Sequence, residues 1–321
     1  MAVAPSRPTG TLTDDLARVE QELTLVGSDA GPVLHEAIRH HLHTGGKRIR
    51  PRLAVTAGRL IRGYVPDTLI RFAAVTELVH AASLVHDDTL DEAETRRGVT
   101  TVSAQWGGHV AVLVGDYLFA QAALLTAGLE SLRLMALLAD TIQALVQGEL
   151  RQMSAAYRIE ASASNYESRI AGKSASLFIL ATEGGATCAG ADRQQAAALR
   201  RYAYNVGLAF QIADDVLDYT ATDAQLGKPA GSDLANGVIT LPALNYLETL
   251  ASDATERRMV EEGTDTARIV QAIRASDGPS RALAHAQALV DAATAELAIF
   301  PDSPDRAALF DLANSAIARR S

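Results

Sequence analysis

Two acidic runs, Asp87-Asp88-Thr89-Leu90-Asp91 and Asp214-Asp215-Val216-Leu217-Asp218, share one spacing, and each sits in an otherwise apolar stretch. On a helix, residues one turn apart share a face, so Asp87 projects with Asp91 and Asp214 with Asp218. Three like charges on one helix repel one another unless a cation neutralises them. Carboxylate oxygens without neighbouring thiolates or paired imidazoles favour Mg2+ or Mn2+ over zinc. Mg2+ held by few carboxylates completes its octahedron with water and phosphate oxygens. Two such runs suggest a clamp for a diphosphate.

The cations carry a second signal. Lysine and arginine together number 29, yet lysine occupies only three positions, Lys47, Lys173 and Lys228. Lysine offers a compact, rotatable point charge where arginine offers a flat fork. In a chain that otherwise uses arginine, the three lysines are candidate phosphate contacts. His35, His40, His41 and His43 resemble a ligand set on paper, but among Glu36 and Arg39 they read as a solvated face. Arg48 and Arg52 read either as phosphate ligands or as charges facing water.

The elements that must position these groups are helices. Hydrophobic residues make up 48% of the 321 and aromatic residues only 5%, and an apolar content of mostly alanine, leucine and valine favours helices over sandwiches or barrels. Helical periodicity is expected near 11–26, 30–43, from Pro51 onward, 67–92, 109–127, 131–158, 165–188 and 192–220. After a polar loop over 220–237 it resumes near 239–250, 254–262, 266–275, 279–298 and 303–319. No strand alternation or repeat emerges. Residues 1–10 read as a flexible N-terminal tail and 11–321 as a single all-helical domain. Both acidic runs close long helices; packed side by side with one polarity, these would present six carboxylates across a shared cavity with a greasy interior. The expected fold is therefore all-α, a single large helical bundle around a central cavity. A net charge of -9 argues against general nucleic-acid affinity. The lone cysteine, Cys188, cannot pair within the chain. With no apolar signal core and no run approaching the ~18 residues of a spanning helix, a cytoplasmic protein is expected.

Four stretches combine into a resemblance: Gly45-Gly46-Lys47-Arg48-Ile49-Arg50-Pro51; His80 through Asp91 continuing to Arg96-Arg97-Gly98; Gly172-Lys173-Ser174; and Phe210-Gln211-Ile212-Ala213-Asp214-Asp215 leading to Gly227-Lys228-Pro229. Together they resemble the trans-isoprenyl diphosphate synthases, the polyprenyl synthetase family, from about residue 30 to 245. The resemblance implies Mg2+-dependent head-to-tail condensation of isopentenyl diphosphate with an allylic diphosphate by a homodimeric prenyltransferase. It implies Asp87, Asp91 and Asp214 as direct ligands of up to three Mg2+ ions, with Mn2+ as a substitute, and Asp88, Asp215 and Asp218 in supporting or water-mediated roles. Arg96, Lys173, Ser174, Gln211 and Lys228 would surround the allylic diphosphate. Lys47, Arg50, His80 and Arg97 would surround isopentenyl diphosphate, and the departing diphosphate would itself take the proton. Val238 stands where many relatives carry lysine, so it receives no binding role.

Product length should follow from the helix leading to Asp87. The first residues upstream, Ala82 and Ser83, are small, and Val79 and Thr76 are modest. Three turns at about 5.4 Å each leave roughly 16 Å of wall without a bulky stop. Long-chain products, hexaprenyl to decaprenyl, are the expectation, with Phe119, Leu134, Met135 or Leu138 as candidates for the floor. The alternatives are a geranylgeranyl diphosphate synthase and a non-catalytic regulatory subunit of a heteromeric synthase.

Overall fold

Thr11 opens the first helix with a reciprocal cap. Its Oγ1 accepts from the Asp14 amide at 3.2 Å while Asp14 Oδ2 accepts from the Thr11 amide at 2.8 Å. This satisfies two of the donors that every helix start leaves open. The computed structural model describes residues 10–43, 46–221 and 230–318. The tail expected over 1–10 lies, apart from Gly10, outside these residues, as do Gly45, Gly227, Lys228 and Pro229.

The helices in order are α1 (Leu12–Thr24), α2 (Pro32–His43), α3 (Ile49–Arg62), α4 (Asp67–Leu90), α5 (Val102–Trp106), α6 (Gly108–Ala127), α7 (Leu132–Ser154), α8 (Ile159–Ile170), α9 (Ser176–Cys188) and α10 (Arg193–Thr220). Then follow α11 (Ser232–Ala235), α12 (Leu241–Leu247), α13 (Thr255–Glu262), α14 (Thr266–Ala275), α15 (Gly278–Glu296) and α16 (Pro304–Ile317). The all-α expectation holds. One element departs from it, a hairpin of β1 (Thr95–Arg96) and β2 (Val99–Thr100) in which Arg96 pairs with Val99. Arg97 and Gly98 form its two-residue turn with φ of 53° and 77°, the left-handed pair that matches the twist of hairpin strands.

The chain divides into two compact units. The first comprises Met1–Ile142, Leu177–Arg200 and Ile299–Leu309. Its core helix is α4, buried on all sides through Leu69, Phe72, Leu78, Val79 and Ala82, which is why it shows no amphipathic stripe. A Cβ on Gly58 of α3 would come within 3.2 Å of the Gly185 carbonyl of α9, and one on Gly185 within 2.2 Å of the Ala54 carbonyl. Only glycine permits that approach. The second unit comprises Gln143–Ser176, Arg201–Ala298 and Phe310–Ser321. It centres on Tyr202, Ile212, Val216, Tyr219, Ile239, Leu247, Ile273 and Val290.

The expectation that no segment reaches spanning length needs one correction. By length and composition, α4 and α6 are each long and apolar enough to cross a membrane. In α4 that apolarity lies in the core, whereas α6 leaves Val112, Leu113 and Leu124 exposed.

Candidate active site

The first acidic run closes α4. The Asp87 carbonyl accepts from the Asp91 amide at 2.8 Å, so the one-turn relation holds to the end of the helix. Asp87 is half-buried and Asp91 exposed, while Asp88 is 3% exposed. Asp88 is held by Arg96: Nε donates to its two oxygens at 2.8 and 3.0 Å, and Nη2 lies 2.7 Å from Oδ1. The hairpin places Arg96 there, and a fork of this kind is among the stronger charge-assisted contacts.

Three further cations and a histidine of the resemblance belong to the same unit. Arg97 sits at the hairpin turn, and a Cβ on Gly46 would come within 3.1 Å of its Nη1. The Arg50 guanidinium lies 5.7 Å from the Phe178 ring centroid, and Lys47 is exposed. His80, half-buried on α4, has a buried Nδ1 without a hydrogen-bond partner. Burial, followed by the charges of Arg50, Arg97 and Arg96, holds its imidazole well below its ordinary range. It is therefore neutral near pH 7 and offers a hydrogen bond where the arginines offer charge.

Arg48 takes neither of its expected roles. It begins α3 at a left-handed φ of 45° and pairs with Glu20 at 2.6 Å and Glu77 at 2.9 Å, and its Nη2 donates to the Leu42 carbonyl at 2.9 Å. It ties α1, the end of α2 and α4 to the segment carrying Lys47 and Arg50. Arg52 is exposed.

The histidines of α2 also divide. His35, His40 and His43 contact the carbonyls of Gly27, Thr100 and Arg39 at 2.9, 2.7 and 2.9 Å. His41, half-buried like His35 and His40, differs in its electrostatic surroundings. Burial pushes its imidazole down to about 4, against the opposing pull of Asp88 and the Ala81 carbonyl. Free in the unfolded chain it titrates near 6.5, so between pH 6.5 and 4 the unfolded chain binds a proton that the folded protein excludes. Its stabilising contribution is complete above 6.5, declines as pH falls through that window and levels off below 4. The decline is bounded at about 3 kcal/mol. Denaturant melts from pH 7 to 4 should show wild type losing more stability than His41→Gln; parallel curves would refute this.

The second acidic run lies in α10. Asp214 is half-buried, and Asp215 and Asp218 are each 3% exposed. Asp215 Oδ2 accepts from the Tyr166 hydroxyl at 2.6 Å and Oδ1 from Gln211 Nε2 at 2.8 Å. Gln211 Oε1 accepts in turn from the Ser174 hydroxyl. Burial, then the charge of Asp233, pushes the Asp215 carboxyl up to about 7 despite these donors. Asp218 anchors the chain that resumes after the polar loop, accepting from Ser232 Oγ at 3.0 Å and the Asp233 amide at 3.2 Å. Val238, half-buried, donates its amide to the Asp233 carbonyl at 2.8 Å.

Lys173 and Ser174 belong to a π-helical segment, Ala171–Ala175, of the kind that often interrupts helices at functional positions. Gly148 of α7 and Gly172 make room for it, since a Cβ on Gly172 would lie 2.6 Å from the Ala144 carbonyl. Lys173 Nζ pairs with Glu149 Oε2 at 2.5 Å. Sequence reasoning missed Glu149, Tyr166 and Arg169. The signal for the last two was present: Tyr166 and Arg169 precede Lys173 by about two turns and one.

Of the chain-length candidates, Thr76, Val79 and Ala82 are fully buried and Ser83 half-buried, its hydroxyl donating to the His80 carbonyl at 2.9 Å. Among the proposed floor residues, Leu134 and Leu138 are buried, while Phe119 and Met135 are half-buried. Phe119 packs 5.8 Å from the His86 ring.

In type, these donors suit Mg2+, which takes hard oxygens and completes its shell with water and phosphate. In both runs the first aspartate keeps access to solvent and the second is buried under donors, so hard oxygens are presented by residues whose neighbours are braced. Among the described residues no three or more His, Cys, Asp or Glu side chains form a group that could hold an ion.

Known proteins resemble this chain over nearly its whole length. The profile of the family described as "Polyprenyl synthetase" matches residues 31–276. Heptaprenyl diphosphate synthase component 2 of Geobacillus stearothermophilus is 40% identical, over 94% of this chain and 95% of that protein. Nonaprenyl diphosphate synthase of Mycobacterium tuberculosis is 37% identical, over 95% and 92%. A crystal structure of a polyprenyl synthase from Caulobacter crescentus, complexed with calcium and isoprenyl diphosphate, superposes with a TM-score of 0.91 at 34% identity, covering 98% of this chain and 100% of that one.

Proposed function

The chain belongs to the polyprenyl synthetase family, and from that membership we propose that it is a Mg2+-dependent trans-polyprenyl diphosphate synthase making hexaprenyl to decaprenyl diphosphates. One observation carries the assignment of the metal site. In each acidic run an accessible aspartate, Asp87 or Asp214, stands beside a buried and hydrogen-bonded one, Asp88 or Asp215.

In this reading Asp87, Asp91 and Asp214 hold up to three Mg2+ ions, or Mn2+ in their place, together with oxygens of the allylic diphosphate. Asp88, Asp215 and Asp218 brace them through Arg96, Tyr166, Gln211 and Ser232. Bound there, the ions would offset the negative charge that develops on the departing diphosphate. Lys173 and Lys228 add cationic contacts to that diphosphate, and Arg96, Ser174 and Gln211 orient it. Isopentenyl diphosphate binds without metal, so Lys47, Arg50 and Arg97 supply its positive field and neutral His80 a directional hydrogen bond. The departing diphosphate takes the proton. In this proposal both acidic runs serve one reaction, and the family match includes residues of both units.

Long products are supported by heptaprenyl and nonaprenyl relatives and by small residues at 82 and 83. The apolar face of α6, with Val112, Leu113 and Leu124 exposed, supports a homodimer. A cytoplasmic location is part of this proposal, and the apolar window of α4 lies mostly inside the protein. A second reading follows from the relative named as a component, namely that this chain is one part of a heteromeric synthase.

Purified protein with Mg2+, farnesyl diphosphate and labelled isopentenyl diphosphate is expected to yield products longer than geranylgeranyl diphosphate. Products that stop there would make it a geranylgeranyl diphosphate synthase. No turnover by the isolated protein would favour the heteromeric reading.

A further inference from the structure

We propose that Tyr166 is a positioning residue for the second acidic run, holding Asp215 in the one orientation that presents Asp214, Gln211 and Ser174 as a rigid set. The inference rests on the reading of that run as part of the metal and diphosphate site.

Tyr166 lies on α8, outside both acidic runs. Its hydroxyl and the Asp215 carboxylate are both buried, and the 2.6 Å bond between them uses one carboxylate oxygen. The other oxygen receives Gln211 Nε2 at 2.8 Å. In its ionised form the Asp215 carboxylate only accepts, so each of its partners must then donate. That requirement fixes the Gln211 amide, because a flip would set its oxygen against the Asp215 oxygen. With nitrogen toward Asp215, the amide oxygen faces Ser174 and takes its hydroxyl proton. Three consecutive hydrogen bonds thus run from α8 through α10 to the π-helical segment, where Lys173 immediately precedes Ser174.

The near end of this chain is itself braced. The Arg169 guanidinium lies 5.4 Å from the Tyr166 ring centroid, and its Nη2 donates to the Ile239 carbonyl at 3.0 Å. Tyr166 therefore has a ring clamped from one side and a hydroxyl aimed at one atom. Removing that hydroxyl leaves Asp215 with one fewer donor and room to rotate, which loosens Gln211 and the neighbouring Asp214. A purely structural tyrosine would satisfy the same buried carboxylate, but its loss would lower stability without altering metal dependence or separating the two substrates kinetically.

The test is Tyr166→Phe, compared with wild type by melting temperature, Mg2+ titration and steady-state kinetics in each substrate. The Mg2+ concentration for half-maximal rate should rise about tenfold and kcat should fall about tenfold. The allylic KM should rise, while the isopentenyl KM stays within about twofold. A variant with wild-type Mg2+ dependence overturns the proposal, whether or not its melting temperature falls. If Tyr166→Phe does not fold, Arg169→Lys keeps the charge but loses the flat guanidinium. It should shift the Mg2+ requirement the same way by a smaller factor, and an unchanged requirement would overturn the proposal. Wild-type protein that by itself condenses no isopentenyl diphosphate would instead overturn the proposed function of the isolated chain in favour of the heteromeric reading, a result distinct from either variant's.

Discussion

Asp87→Asn and Asp214→Asn are each expected to lower kcat about a hundred- to a thousandfold, the range for losing one preorganised electrostatic contact to developing charge. Asparagine preserves shape and removes the anion, so the loss reports charge rather than packing. Both side chains are only half-buried, and melting temperatures should move little. The double variant is the sharper measurement. If both aspartates serve ions on one departing diphosphate, losing either disables the same step, and losing both should cost far less than the product of the single effects. Independent, multiplying losses would show that the two runs act in separate steps and would remove the basis for one shared metal-diphosphate centre. Substituting exposed Asp311 by asparagine should leave kcat at the wild-type value and serves as the control.

Ala82→Phe should truncate the product, moving the distribution from hexaprenyl and longer to geranylgeranyl or shorter. Ala82 is fully buried on α4, one turn ahead of the acidic run. An aromatic ring there must occupy space that the proposal gives to the growing chain. Overpacking a buried site of this kind costs about 1–3 kcal/mol, so the variant should melt lower yet still condense its first isopentenyl units at near wild-type rate. Chromatography of labelled products from both proteins decides it. Lower stability with unchanged product lengths would show that position 82 faces only packed protein.

Helices were readable because a period of 3.6 in alanine, leucine and valine survives any tertiary arrangement, and the observed α1, α2, α6 and α10 lie close to the expected spans. The misses have local causes. The sequence pattern puts the start of α8 near 165 where the structure has Ile159, because Ser162, Ser164 and Asn165 are poor helix formers that packing overrides. The π-helical segment changes hydrogen bonding without changing the apolar pattern, so 165–188 read as one unbroken helix. The hairpin has only two residues per strand, too few for alternation to register.

The amino-acid sequence by itself determined the helical class, the two acidic runs and the lysines as candidate phosphate ligands, because these follow from residue type and spacing along one chain. Tertiary structure decided which member of each set does what. It separated Arg48, tied to Glu20 and Glu77, from Arg96, tied to Asp88. It set His41 among the charges of Asp88 and Arg96 while His35, His40 and His43 met only carbonyls, and it joined Tyr166 to Asp215 across 49 positions of chain. Charge and periodicity are properties of local sequence, whereas desolvation and hydrogen-bond pairing depend on which distant atoms arrive within 3 Å, and only packing brings them there.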